Sequence, residues 1–281
     1  MILDSGIVSD LKNGWNIEGV VSIDDFITLN RDFGNMKDYI INSTPPFFEK
    51  ASEISNLTPL TTSLDFLFGE PLMKGEVTSI EGNVNSGKTR LCAKIACEVA
   101  KTGNVLYIDV DHSMTYPIFD SIIDGLGISR PSVFWDYMCK PNESSSLTIA
   151  SCIEETELFS IINSYISHTV PDLIVIDSLF SLLQSLMGKN SPGFAVLEEI
   201  SIELKFLAKH YDAAIIVVNS IKEQEKPLTT YLGKQYSSMW HQRLILITKN
   251  SLHSSCHLVC SPRKPHHEKT ILLEYLTEYN Q

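Results

Sequence analysis

Eight consecutive residues, Gly82-Asn83-Val84-Asn85-Ser86-Gly87-Lys88-Thr89, limit what this chain can fold into more than any other feature. They fit the pattern G-x-x-x-x-G-K-[ST], a loop whose glycines let backbone N–H groups converge on an anion at a helix N-terminus, where the helix dipole also favours negative charge. Such a loop needs a strand before it and a helix after it. Residues 77–81 read as a short buried strand, and residues 87–101 carry Leu91, Ile95 and Val99 at helical spacing. The strand-loop-helix unit therefore predicts a nucleoside triphosphate site on residues 82–89, expected to take ATP with Mg²⁺. Lys88, read as a solvent-facing lysine, would reach the β- and γ-phosphates, and the Thr89 hydroxyl would coordinate the metal.

From residue 77 onward, Val/Ile-rich runs alternate with stretches of helical period, which predicts an α/β domain with a mostly parallel sheet. The predicted strands are 77–81, 105–109, 133–137, 173–177 and 214–219, and the predicted helices are 87–101, 116–126, 153–167 and 192–210. Ser191-Pro192 supplies a cap and first-turn pair for the last helix. Three further strands, 243–248, 257–261 and 270–275, follow without room for crossover helices and are expected to extend the sheet in antiparallel fashion. Residues 1–44 read as a small, polar helical region, and Pro45-Pro46 opens a linker at 45–56 ahead of the core at 57–281.

A magnesium site needs a carboxylate, which in this fold class ends a buried strand. Leu173-Ile174-Val175-Ile176-Asp177 supplies Asp177. The strand 105–109 runs into Asp109-Val110-Asp111, with both acids on one face by the period of two. Asp111 is the candidate for orienting the attacking water, because it lies nearer the carboxyl edge of the sheet, where ligands bind in such folds.

Composition narrows the partners. A net charge of −12 excludes a surface that grips nucleic acid everywhere, so any such contact is local. Lys222, Lys226 and Lys234 lie in a long loop after the fifth strand and are the candidate DNA contacts. The six cysteines sit in apolar segments and do not form a disulfide pattern, and no apolar run is long enough to span a bilayer, so the chain reads as soluble and intracellular with no membrane partner. His253, Cys256, His257 and Cys260 lack paired metal-ligand spacing, and the basic run Arg263, Lys264, His266, His267 and Lys269 reads as a solvated turn.

Four segments together resemble the RecA-type recombinases, and among them the eukaryotic Rad-fifty-one paralogues, the D-type branch above all. They are Ser63-Leu64-Asp65 with Gly75-Glu76-Val77-Thr78, Ile80 and Gly82; Val105-Leu106-Tyr107-Ile108-Asp109; residues 197–219; and Lys226-Pro227-Leu228 with Leu232-Gly233 and Trp240. The resemblance covers about residues 57–281. It implies a RecA-type ATPase core, assembly with other recombinase paralogues as a hetero-oligomer, assistance to a recombinase filament on single-stranded DNA, and a nuclear location.

Three departures stand against it. The family has Glu where this chain has Asp111, and a γ-phosphate-sensing Gln where it has Ser220. Both side chains are shortened, which implies a weak DNA-dependent ATPase, since water positioning depends on reach. Glu70-Pro71 replaces Gly-Gly, a change whose consequence the sequence does not disclose. Phe48-Glu49-Lys50-Ala51 fits the F-x-x-A pattern by which some family members dock on a neighbouring core, which makes Phe47, Phe48 and Ala51 candidate docking residues. The other readings are a structural subunit that holds nucleotide without hydrolysing it, and a RecA-fold DNA motor, which would be expected to keep the longer Glu.

Overall fold

Three strands are buried along their whole length: β3 (Val77–Gly82), β4 (Val105–Asp109) and β7 (Leu173–Asp177). Strands buried along their whole length in this way belong in the middle of a sheet covered on both faces. The computed structural model places them so. It describes residues 57–112, 120, 124, 133–135, 146–187, 193–222, 229, 230, 232, 235–250, 253–272, 277 and 278. The N-terminal region at 1–44, the linker at 45–56 and the docking residues Phe47, Phe48 and Ala51 lie outside these residues, as do Lys226, Lys234 and the pair Ser191-Pro192.

The remaining strands of the main sheet are β5 (Val133–Trp135), β6 (Leu147–Ser151), β8 (Ala214–Lys222), β9 (Thr229–Thr230), β10 (Gln242–Thr248), β11 (His253–Cys260), β12 (His267–Leu272) and β13 (Thr277–Glu278), ordered β13-β12-β11-β10-β3-β8-β7-β4-β6-β5 with β9 on β8. A two-stranded ribbon, β1 (Pro59–Leu60) with β2 (Leu72–Met73), precedes them. Side chains alternate between the faces. Tyr107, Val175, Ile216 and Leu246 pack beneath α2 (Lys88–Val99) together with α1 (Asp65–Phe68), while Ile108, Ile176 and Val217 pack beneath α3 (Glu155–Ile166), α4 (Leu179–Leu183) and α5 (Gly193–Tyr211). The mixed α/β architecture with a large, mostly parallel sheet matches the expected class.

Two details of the sheet differ from the sequence reading. The strand at 242–248 is not antiparallel: β10 pairs with β3 in parallel, and antiparallel pairing begins at β11. The segment 223–241 is long enough for the return that parallel pairing requires, which takes a dozen residues or more. Strand β6 was not expected at all. It lies between β4 and β5, and its sequence Leu-Thr-Ile-Ala-Ser carries only two large apolar residues, too weak a pattern to separate from a loop.

The Glu70-Pro71 departure acquires a role at the sheet entrance. Glu70 is buried and accepts hydrogen bonds from Arg263 Nε at 3.0 Å and Ser261 Oγ at 3.1 Å, while both terminal nitrogens of Arg263 bond to the buried Glu76 carboxylate at 2.5 and 2.7 Å. Arg263 is thus not part of a solvated turn. It clamps the β11–β12 hairpin onto the strand that leads into the glycine loop.

Candidate functional site

The glycine loop leaves the carboxyl end of β3 and enters α2 with its shape fixed by its own residues. Asn85 and Gly87 take positive φ values of 61° and 92°, and Gly87 caps the helix in the left-handed conformation. A β-carbon on Gly82 would stand 2.5 Å from the Leu246 carbonyl oxygen and closer still to Ser86 Oγ, so only glycine fits there. Asn83 anchors the loop sideways: its Oδ1 accepts from Thr248 N at 3.2 Å and Thr248 Oγ1 at 3.1 Å. Val84 at the loop tip is 75% exposed, open to whatever occupies the loop. The hydroxyl of Ser86 is buried without a hydrogen-bond partner.

Lys88, Thr89 and Asp177 meet where the loop becomes helix. Lys88 Nζ donates to the carbonyl oxygens of Gly82 at 3.0 Å and Asn83 at 2.7 Å, so this lysine is folded onto its own loop and is only partly exposed, contrary to the solvent-facing expectation. Burial lowers its pKa, and the Asp177 carboxylate works against that shift. Asp177 is almost fully buried. Burial raises its pKa, and hydrogen bonds from the hydroxyls of Tyr107 and Thr89 oppose the rise. The Tyr107 hydroxyl donates to Oδ2 at 2.7 Å. One carboxylate and one hydroxyl beside a loop of backbone N–H groups is a donor set suited to Mg²⁺, which keeps waters and phosphate oxygens rather than a full protein cage. No cluster of three or more His, Cys, Asp or Glu side chains able to hold a metal occurs among the described residues.

The other predicted residues fall around this point. Asp111 is exposed just past β4, and Ser178 Oγ, one residue beyond Asp177, donates to Asp111 Oδ2 at 3.4 Å. Asp109 is buried as the register partner of Asp177. Ser220 pairs in register with Gly82, with its N–H tied to Asn219 Oδ1 at 2.8 Å. Lys222 ends β8. Cys256 faces the core from β11, while Cys260 at its end is exposed.

The sequence reading missed the polar network behind the loop. Glu81, fully buried, receives Arg243 through two bonds of 2.7 and 2.8 Å and Ser79 Oγ at 3.0 Å, and Ser79 in turn meets the Tyr236 hydroxyl at 2.9 Å. The available signal was Glu81 in the strand that leads straight into the glycine loop, because a buried carboxylate demands a cation.

The chain is similar to curated DNA repair proteins. The chain is 25% identical over 248 residues to the mouse (Mus musculus) DNA repair protein RAD51 homolog 4, covering 80% of this chain and 72% of the relative. It is 28% identical over 225 residues to the bovine (Bos taurus) protein of the same name, covering 72% of this chain and 66% of the relative. It is also 26% identical over 189 residues to the DNA repair and recombination protein RadB of Methanothermobacter thermautotrophicus, covering 64% and 72%. The chain is a homologue of the RecA-type recombinases. No family model matches it. The match to RAD51 homolog 4 bears out the resemblance to the eukaryotic Rad51 paralogues, and the similarity to archaeal RadB was not part of it.

Proposed function

We propose that this chain is an ATP-binding recombination mediator, a recombinase paralogue acting in homologous-recombination DNA repair. The observation that carries the reading is the meeting of Lys88, Thr89 and Asp177 at the carboxyl edge of the sheet, behind a loop shaped by Gly82 and Gly87. Residues 82–89 would hold the phosphates, with Thr89 and Asp177 holding Mg²⁺, which when bound neutralises charge on the phosphate oxygens. Lys88 would exchange its two loop carbonyls for phosphate oxygens. The names of the relatives, with "DNA repair" in each, support the process.

Asp111 would orient the attacking water. Its short side chain and the short Ser220 leave the γ-phosphate poorly served, which supports a weak ATPase whose nucleotide steadies an assembly. In that assembly the N-terminal region at 1–44 and linker at 45–56 would dock onto another recombinase paralogue through Phe47, Phe48 and Ala51, while Lys222, Lys226 and Lys234 would face single-stranded DNA alongside the recombinase filament in the nucleus. ATP turnover of the wild type and Lys88→Ala, with and without single-stranded DNA, tests the reading. Slow turnover that disappears in the variant supports it. Fast DNA-stimulated turnover would point instead to a motor, and tight binding without turnover to a structural subunit.

A further inference from the structure

We infer that Tyr107 is a positioning residue for the metal-facing carboxylate of Asp177, an inference that rests on the nucleotide site proposed above. Tyr107 lies on β4 and Asp177 on the neighbouring β7, two residues beyond Tyr107's register partner Val175 and on the same face of the sheet. That diagonal placement lets a long side chain reach its neighbour. The ring is 1% exposed and packs in the apolar layer beneath α2, where Phe would fill the same space. Its hydroxyl is the one polar atom it brings to that layer, and its bond is to Asp177 Oδ2.

A buried tyrosine hydroxyl usually finds an acceptor, so the bland reading is that Asp177 merely satisfies Tyr107. The surroundings of Asp177 favour the converse. The carboxylate ends its strand beside Thr89, whose hydroxyl also bonds to it, and Lys88 stands near enough for its charge to be felt. With Oδ2 held by Tyr107, rotating the carboxylate about its last bond costs that hydrogen bond, so the group is biased toward one orientation in facing a cation. Partners that orient a metal ligand in this way commonly cost 10–100-fold in metal affinity when removed.

The test measures nucleotide affinity by calorimetry with Mg²⁺ and with chelator, on the full chain carrying Tyr107→Phe and, separately, 4-fluorophenylalanine at 107. The second variant fills the hydroxyl's volume without donating a hydrogen bond, so it decides the matter even if Phe leaves a damaging void. In both, affinity without Mg²⁺ should stay within about twofold of the parent, and the Mg²⁺-dependent gain should shrink about tenfold. 4-Aminophenylalanine at 107, which restores a donor, should recover most of that gain, and Mn²⁺ bound with the nucleotide should show an altered electron paramagnetic resonance line in the donor-free variants only. An unchanged Mg²⁺-dependent gain in the folded variants overturns the inference alone, as does an equal loss with and without Mg²⁺, which would mark a packing defect. Failure of the unmodified chain to bind ATP overturns the proposed function first.

Discussion

At the residue scale, Lys88 is held by two carbonyl oxygens of its own loop, and that determines what its removal does. Lys88→Ala should abolish triphosphate binding by calorimetry while lowering stability by less than about 2 kcal/mol, the scale of hydrogen bonds from one charged group. Undiminished ATP affinity in the folded variant would refute the site. His241 offers a second residue-scale prediction. Its Nδ1 accepts the Val77 N–H at 3.0 Å, a bond that requires the neutral ring. Burial lowers its pKa below the ordinary 6.5, with Lys205 and Arg263 adding to the shift and Glu76 opposing it. The unfolded chain therefore binds the proton first. Stability from this group is complete above pH 6.5 and is lost as pH falls from there through the folded-state value. Denaturant unfolding between about pH 7 and 5 should show a steeper loss for the wild type than for His241→Asn, whose amide oxygen can accept at every pH. Parallel pH profiles would count against this role.

Among the elements, the β11–β12 hairpin, laddered to β10, gains a second attachment through Arg263 to Glu70 and Glu76 just ahead of β3. Removing the guanidinium leaves Glu70 and Glu76 as buried carboxylates without their cation, and breaking a buried pair is far costlier than the pair is worth. Arg263 is about a quarter exposed, so the expected loss for Arg263→Ala is discounted to about 2–3 kcal/mol by urea unfolding. Arg263→Lys should recover little of it, because one ammonium cannot serve two carboxylates bidentately. A loss under about 0.5 kcal/mol would show that the ladder to β10 and the apolar contacts of Cys256, Leu258 and Ile271 hold the hairpin without Arg263.

For the whole molecule, the shortened Asp111 and Ser220 predict ATP turnover below about 1 s⁻¹, the low end of ordinary enzymes, with Asp111→Glu faster than the parent. The proposed mediator role also calls for a partner. Pull-downs from cells with the full chain, with residues 1–56 deleted, and with Phe47→Ala/Phe48→Ala should retain a related ATPase only in the first case. Full retention by the folded deletion would exclude docking through that region.

The sequence by itself determined the glycine loop, its flanking strand and helix, the strands ending in Asp109 and Asp177, and the parallel class of the sheet. Each rests on local information: hydrophobic period, turn chemistry and a contiguous motif. Only the tertiary structure decided that 242–248 runs parallel to β3, that Leu147–Ser151 is a strand, that Glu70 meets Arg263, and that the Tyr107 hydroxyl reaches Asp177. Glu70 and Arg263 are 193 positions apart, and Tyr107 and Asp177 are 70 apart. No periodicity within one segment reports on a pairing across so much chain, because sheet order and the partners of buried polar groups are settled only when distant strands close against one another.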